Sequence, residues 1–212
     1  MMESSNEDGA TFTIQLACNE DLNQMTDLIL YTFMKQEPMT HSILRGKNLE
    51  TTYGDAVRKT VETSIKERAS TVAKLPEVAG LTITISVSLS QYLEFRTLIP
   101  EFAGAFKALY EARCEDLPEK FLRLRLVTVS EKFQRRGTSG KLVDDVINRA
   151  KQNGDLAIVA EATGIYSQRI FANRGFRCIS ELKYSEYKDE KGDVVFKGTA
   201  PHSSLKLVVL NV

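Results

Sequence analysis

Neither sign of charge is in excess: 28 Lys and Arg stand against 28 Asp and Glu in 212 residues. General nucleic-acid binders and proteins of acidic membrane surfaces carry a basic surplus, so neither partner class is expected. Cysteine is scarce, and Cys18, Cys114 and Cys178 are far apart and odd in number. They offer no zinc spacing and no disulfide framework, and read as buried or inert thiols in a reducing compartment. No metal is implied. No apolar run approaches the length of a membrane span. Met1–Ala10 is acidic and polar, without the basic start and apolar core of a signal peptide, so a cytoplasmic protein is expected. Internal repeats, low-complexity tracts and linkers are also missing. Hydrophobic residues at 42% and charged residues at 26% are ordinary globular values, and this length suits one domain with a sizeable core. Residues 1–10 are expected as a flexible tail and 11–212 as the domain. No oligomeric state follows from the sequence.

The chain is organised around residues 121–154. Leu122-Arg123-Leu124-Arg125-Leu126-Val127-Thr128-Val129 alternates leucine with arginine and ends in β-branched residues, the pattern of a strand with one face buried. Leu142, Val143, Val146, Ile147 and Ala150 then recur at helical spacing, and Asn153-Gly154 closes the segment as a C-cap does. Between strand and helix lies Gln134-Arg135-Arg136-Gly137-Thr138-Ser139-Gly140-Lys141. Such a loop aims backbone N–H groups and the positive end of the helix dipole at one place, which suits an anion such as a phosphate. Lys132, Arg135, Arg136 and Lys141 add mobile positive charge. A Walker A loop needs a glycine where Arg135 stands and Ser or Thr where Leu142 stands, so it fails twice. The dinucleotide fingerprint also fails, because Gly137 and Gly140 have no third glycine in register.

In chain order, Thr11–Leu16 alternates as a first strand, and Asn19 or Asp21 caps a helix with Leu22, Met25, Leu28, Ile29 and Phe33 on its apolar face. That helix breaks near Glu37-Pro38. A second helix is expected over 49–69, then a hairpin of 71–75 and 78–87 turning at Leu75-Pro76-Glu77, and a helix from Pro100 to about Arg113. Leu156–Ala160 is wholly apolar and suits burial on both faces. A helix over 166–173, strands over 177–187 and 204–210 and a turn at 189–193 complete the chain. The expected fold class is α/β (α+β): one mixed sheet of about seven strands flanked by helices.

Gln134-x-x-Gly137-x-Ser139 resembles motif A of the GNAT superfamily of acyl-CoA N-acyltransferases, whose loop wraps the coenzyme A pyrophosphate. Ser167–Phe176 looks like that family's motif B, a helix ending in a Gly-Phe step beside the acyl-pantetheine arm. Phe33-Met34-Lys35-Gln36-Glu37-Pro38-Met39 resembles the Phe-x-x-x-Glu-Pro-Leu signature of insect-type arylalkylamine N-acetyltransferases. Tyr187, Gly192, Phe196 and Pro201-His202 match that group's closing segment. The resemblance implies a GNAT fold with splayed central strands and acetyl-CoA as cosubstrate. Gln134, Arg135, Arg136, Gly137, Thr138, Ser139 and Gly140 would bind the coenzyme. Val127 and Val129 would offer backbone groups to its pantetheine, and Phe171 would lie along the acyl arm.

A protonated alkylamine must lose a proton before it attacks a thioester, so a general base is needed. The resemblance gives that role to Glu37, with Phe33, Pro38 and Met39 as neighbours that desolvate it. Read from its position alone, Glu37 better suits an exposed helix end before proline. A thiolate-protonating tyrosine common in the superfamily is Phe171 here. The arylalkylamine group instead uses two serines four residues apart, matching Thr163 and Ser167, although Thr163 or Gly164 equally suits a helix cap. His202 would be a secondary base or a wall of the acceptor site. The implied activity is acetyl transfer to a small, arylalkyl amine by direct transfer in a ternary complex, since no cysteine has the setting of a covalent acyl carrier. Two alternatives stay open. Glu111, Glu115, Asp116 and Glu119 could converge on a polyamine (a protein amine being the other acceptor), or the chain could be an acyl-CoA sensor without turnover.

Overall fold

The alternating stretch near the start of the chain is a strand, β2 (Thr11–Leu16), but not the first one. Met2–Ser5 form a short β1 antiparallel to it, with Met2 opposite Ile14 and Ser5 opposite Thr11. The tail expected over residues 1–10 is corrected to that extent: β1 takes up edge donors and acceptors that β2 would otherwise leave open. The structure is a computed structural model that describes residues 2–5, 11–44, 46–75, 77–88 and 102–212. The expected turn residue Pro76 and helix opener Pro100 lie outside the described residues.

In chain order, β2 is followed by α1 (Leu22–Leu28), which continues through a π-helical turn at Ile29–Phe33 into Met34–Gln36. Then come α2 (Pro38–Leu44), α3 (Leu49–Lys66), β3 (Ser70–Leu75), β4 (Glu77–Ser88) and α4 (Phe102–Glu111). The remainder is β5 (Lys120–Val129), α5 (Thr138–Asn153), β6 (Ala157–Ala162), α6 (Ile165–Ala172), β7 (Arg177–Lys183) and β8 (Ser204–Asn211). This is the expected mixed sheet with helices, with β1 as the strand beyond seven. Two units can be distinguished: Met1–Lys35 with Asn48–Ile85 and Leu124–Asn153, and Gln36–Lys47 with Ser86–Arg123 and Gly154–Val212.

In the first unit β2 pairs antiparallel with β3, and β3 with β4, where Thr71 faces Thr82. Asp21 fixes the start of α1. Its carboxylate accepts the Cys18 N–H at 3.0 Å and pairs with Lys74 of β3. Burial alone would raise the Asp21 carboxyl, but the bonds from Lys74 and Cys18 outweigh it and hold the carboxyl below its usual range. The Cys18 thiol, bonded to Glu20 and Asp21, is pushed up to about 11, so it stays protonated and inert as expected. Asn48 caps α3 by accepting the N–H groups of Glu50 and Thr51. The helix stops three residues short of Ala69 because Arg68 turns into the left-handed region at φ +55°. Phe12, Ile14, Ala73, Val129 and Leu142 form a buried cluster. Gly80 on β4 is required there: a Cβ would stand 2.9 Å from the Thr128 carbonyl and 3.0 Å from Leu142 Cδ1.

In the second unit β5 runs parallel to β6 through Leu122↔Ile158 and Arg123↔Val159. β6 then pairs antiparallel with β8, and β8 with β7 up to Lys183↔Ser204. Three expectations are corrected. Leu156 is 67% exposed, because β6 begins one residue later and burial starts at Ala157. β7 ends at Lys183 rather than 187, since the Glu186 and Tyr187 N–H groups fold back onto the Lys183 carbonyl. Cys178 is exposed on β7, although partial burial still pushes its thiol up. The Leu-Arg alternation of β5 also misleads, for Arg123 is buried. Its Nε donates to Glu161 Oε1 at 2.9 Å and Oε2 at 3.2 Å, and Tyr110 Oη donates to the same carboxylate at 2.9 Å. The Arg123 and Glu161 side chains are 10% and 4% exposed, so neither charge can be left alone. Glu161→Ala should therefore cost about 3–5 kcal/mol in chemical denaturation. Tyr110→Phe should cost about 1–3 kcal/mol. Equal, small losses would show that the pair does not anchor this unit.

Candidate active site

The 134–141 loop lies in the first unit. Glu131–Phe133 form a single 3₁₀ turn after β5, and α5 begins at Thr138. Two residues adopt left-handed backbone: Arg135 at φ +62° and Gly137 at φ +73°. For Arg135 that is a strained choice that a non-glycine residue rarely makes. Flanking Arg136, they turn successive amides toward one side, the arrangement that forms an anion-binding nest. The first intrahelical bond of α5 runs from the Lys141 N–H to the Gly137 carbonyl at 3.1 Å, so the Thr138 and Ser139 amides precede the ladder and point out along the helix axis. Gln134 is exposed, and its Nε2 donates to the Val129 carbonyl at 3.1 Å, tying the loop to the end of β5. Val129 itself is buried in the core and Val127 is half-buried, so any ligand role falls to their backbones. The expected mobile cations are partly anchored. Arg136 lies 5.8 Å over the Phe133 ring, Lys141 4.9 Å over Phe12, and Lys132 is 3.6 Å from Glu77.

The acid, the hydroxyl pair and His202 all lie in the second unit. Pro38 does not merely end a helix. It occupies the first position of α2, where its missing N–H costs nothing. Glu37 precedes it as the capping residue, buried at 6% exposure rather than at an exposed end. Its Oε1 accepts the Met39 N–H at 3.0 Å, and its Oε2 accepts the Thr40 N–H at 2.6 Å and the Thr40 hydroxyl at 2.5 Å. A carboxylate has about four acceptor sites, so Oε1 keeps one for a proton.

Thr163 and Gly164 alone connect β6 to α6. Gly164 is the capping residue, so the capping alternative for the Thr163 hydroxyl is set aside. Ser167 Oγ instead closes that end: it donates to the Gly164 carbonyl at 2.9 Å and takes the Gly164 N–H at 3.4 Å. A Cβ on Gly164 would stand 3.2 Å from His202 Nδ1 and 3.6 Å from Pro38 Cγ. Glu37's neighbour, the histidine and the hydroxyl-bearing turn thus meet at one glycine. His202 Nδ1 accepts the Ile165 N–H at 3.2 Å, which places the proton of the neutral ring on Nε2. A ring in that tautomer donates through Nε2 and has its Nδ1 engaged as a cap of α6, which suits the expected wall of the acceptor site better than the expected secondary base. Burial holds His202 below its ordinary value, with the Glu37 charge pulling the other way. Phe171 is 3% exposed, its ring 5.0 Å from Phe176. Among the described residues, no three His, Cys, Asp or Glu side chains are grouped to hold a metal ion, and no helix is long and apolar enough to cross a membrane.

Residues 101–187 match the family model described as an acetyltransferase (GNAT) domain. Over that stretch the chain resembles a GNAT acetyltransferase domain. Its fold is that of solved GNAT structures. Arylalkylamine N-acetyltransferase 2 from Aedes aegypti is 20% identical with a TM-score of 0.77, covering 94% of this chain and 98% of that one. The Drosophila melanogaster polyamine N-acetyltransferase, which forms N-acetylagmatine, is 17% identical at TM-score 0.77, covering 95% and 100%. Arabidopsis thaliana NAA60 in complex with acetyl-CoA is 12% identical at TM-score 0.57, covering 95% and 98%. No curated protein sequence matches the chain.

The matched segment holds the loop, Thr163, Ser167 and Phe171, but neither Glu37 nor His202. Sequence reasoning missed Thr40, whose hydroxyl and amide both serve Glu37, and Tyr184, whose Oη donates to the Thr163 carbonyl at 2.5 Å. A Thr three residues after an acid that precedes Pro is a readable signal for the first; nothing local signals the second. Because the folded pKa of His202 is depressed, its contribution to stability is present above 6.5 and lost as pH falls through the folded value. An NMR titration should place the His202 ring below 6.5, and His202→Asn should flatten the acid limb of the stability curve. A midpoint above 6.5 would contradict the capped, neutral ring.

Proposed function

We propose that this GNAT domain is an acetyl-CoA-dependent N-acetyltransferase for a small, arylalkyl primary amine, working by direct transfer in a ternary complex. The observation that carries it is the meeting of Glu37-Pro38, Thr163-Gly164 and His202, with Ser167 bonded to the same glycine. Glu37 has a free acceptor position on Oε1 and accepts the amine proton. The Ser167 and Thr163 hydroxyls assist departure of the thiolate, which takes up one proton from them; that proton is made good by the one the nitrogen loses as the amide forms. For Ser167 this means releasing its bond to the Gly164 carbonyl. The thioester brings the activated acetyl group.

Gln134, Arg135, Arg136, Gly137, Thr138, Ser139 and Gly140 are proposed to hold the coenzyme diphosphate, with Val127 and Val129 toward pantetheine and Phe171 along the acyl arm. The fit is supported by two left-handed residues, a helix N-terminus, and open space around Gly137, where a Cβ would meet nothing within 4 Å. The NAA60 structure shows acetyl-CoA on a related fold.

An aryl acceptor is favoured over a polyamine by two features of the second unit. Tyr166 is 67% exposed and meets the His202 ring edge-on at 5.8 Å, so it offers an aromatic face beside the turn. Of the acids that might gather a polyamine, Glu111 is paired with Lys107 and Asp116 with Arg113 on the surface. Both hydroxyls being retained favours turnover over a sensor.

A thiol-release assay with dopamine, tryptamine, spermidine and a lysine peptide should show turnover of the aryl amines above the others. Binding of acetyl-CoA with no thiol release from any amine would sink the proposal. Glu37→Ala should lower kcat by about 10²–10⁴-fold at neutral pH and recover as pH rises and the amine deprotonates unaided. A loss of the same size at every pH would remove Glu37 as the base. Ser139→Asp should raise the KM for acetyl-CoA at least tenfold, by like-charge repulsion at the diphosphate, with kcat at saturation little changed; an unchanged KM would place the diphosphate elsewhere.

A further inference from the structure

Three successive carbonyls at the β6–α6 junction each receive a side-chain donor. Gln168 Nε2 donates to Ala162 O at 3.2 Å, Tyr184 Oη to Thr163 O at 2.5 Å, and Ser167 Oγ to Gly164 O at 2.9 Å. Gln168 and Ser167 belong to α6 itself and move with it. Tyr184 does not. It follows β7, its N–H donates to the Ser203 carbonyl at 3.0 Å, and its ring sits edge-on to Phe196 at 5.5 Å. The register Lys183↔Ser204 therefore brings Tyr184 and His202 side by side at the ends of two paired strands. From there the phenol grips the Thr163 carbonyl and the imidazole grips the Ile165 N–H, one on each side of Gly164.

We propose that Tyr184 is a positioning residue: its hydroxyl fixes the Thr163–Gly164 peptide plane and, through it, the direction of the Thr163 hydroxyl and the seat of Ser167. The inference rests on the proposed roles of Thr163 and Ser167. A two-residue connection containing glycine has little of its own to hold it, since glycine restricts its neighbours least. Tyr184 is 2% exposed, so its hydroxyl has no water to turn to and stays on the carbonyl. Burial, helped by the nearby Glu37 charge, pushes the phenol well up, which keeps it a donor at any working pH. Donation to one end of a peptide group also strengthens its N–H at the other. Here that N–H is the Gly164 amide facing Ser167 Oγ.

Tyr184→Phe keeps the ring and removes the bond. kcat should fall on the order of tenfold to a hundredfold with the KM for acetyl-CoA unchanged, as a small misplacement of reacting groups does. In a background carrying both Thr163→Val and Ser167→Ala the same change should matter less than about threefold, because both groups being positioned are already gone. Additive losses in that cycle would overturn the proposal. Amide hydrogen exchange at Gly164 should also rise about tenfold in Tyr184→Phe, while the α5 amides keep wild-type rates and report an intact fold. Unchanged exchange at Gly164 overturns the proposal whatever the activity. A wild-type protein that transfers nothing would sink the proposed function alone, and the Gly164 exchange would still decide what Tyr184 does.

Discussion

A buried peptide group must find a partner, and the Thr163–Gly164 turn is where that requirement shapes the second unit. Each carbonyl from Ala162 to Gly164 has a donor, and the Gly164 and Ile165 amides have acceptors in Ser167 and His202. A side chain at position 164 would press on the His202 ring, 3.2 Å from its Nδ1, and touch Pro38 at 3.6 Å. The glycine is thus what lets a helix end, a strand end and an acid-bearing turn share one point. The Ser167 hydroxyl of the proposed chemistry also serves the backbone, and Glu37 is placed by the same economy as the cap of α2.

The α5 end obeys the opposite logic. Its amides precede the helical ladder on an exposed loop, and the backbone around them is turned by Arg135 and Gly137 into a conformation that few residues adopt willingly. Strain of that kind persists where something else is gained. A diphosphate seated on those donors, as proposed, would supply the gain, through charge-assisted bonds and the helix dipole. Arg136 and Lys141 resting on Phe133 and Phe12 keep positive charge near the loop at a lower entropy cost than free side chains.

Much of this was legible in the chain. The strand, loop and helix over 120–153 carry their periodicities and caps within a few residues of each other, so local rules suffice. Glu37-Pro38 was visible too, though as a helix end rather than the start of α2, because a proline after an acid reads either way. What stayed hidden depends on partners far along the chain. Arg123 alternates like a surface residue until Glu161, 38 positions on, is brought beside it. Tyr184 and His202 reach the β6–α6 turn across 21 and 37 positions, through the register of β7 on β8. Leu156 shows the converse error: an apolar residue in an apolar run, left outside because the strand begins after it.

The two ends differ in one measurable respect: at α6 the turn amides already have protein partners, and at α5 the Thr138 and Ser139 amides face outward. A ¹⁵N-resolved NMR titration with coenzyme A tests this most directly. The account predicts large downfield shifts of the Gly137, Thr138 and Ser139 amides that saturate together with binding. Coenzyme that binds while those three amides keep their unliganded shifts would contradict it.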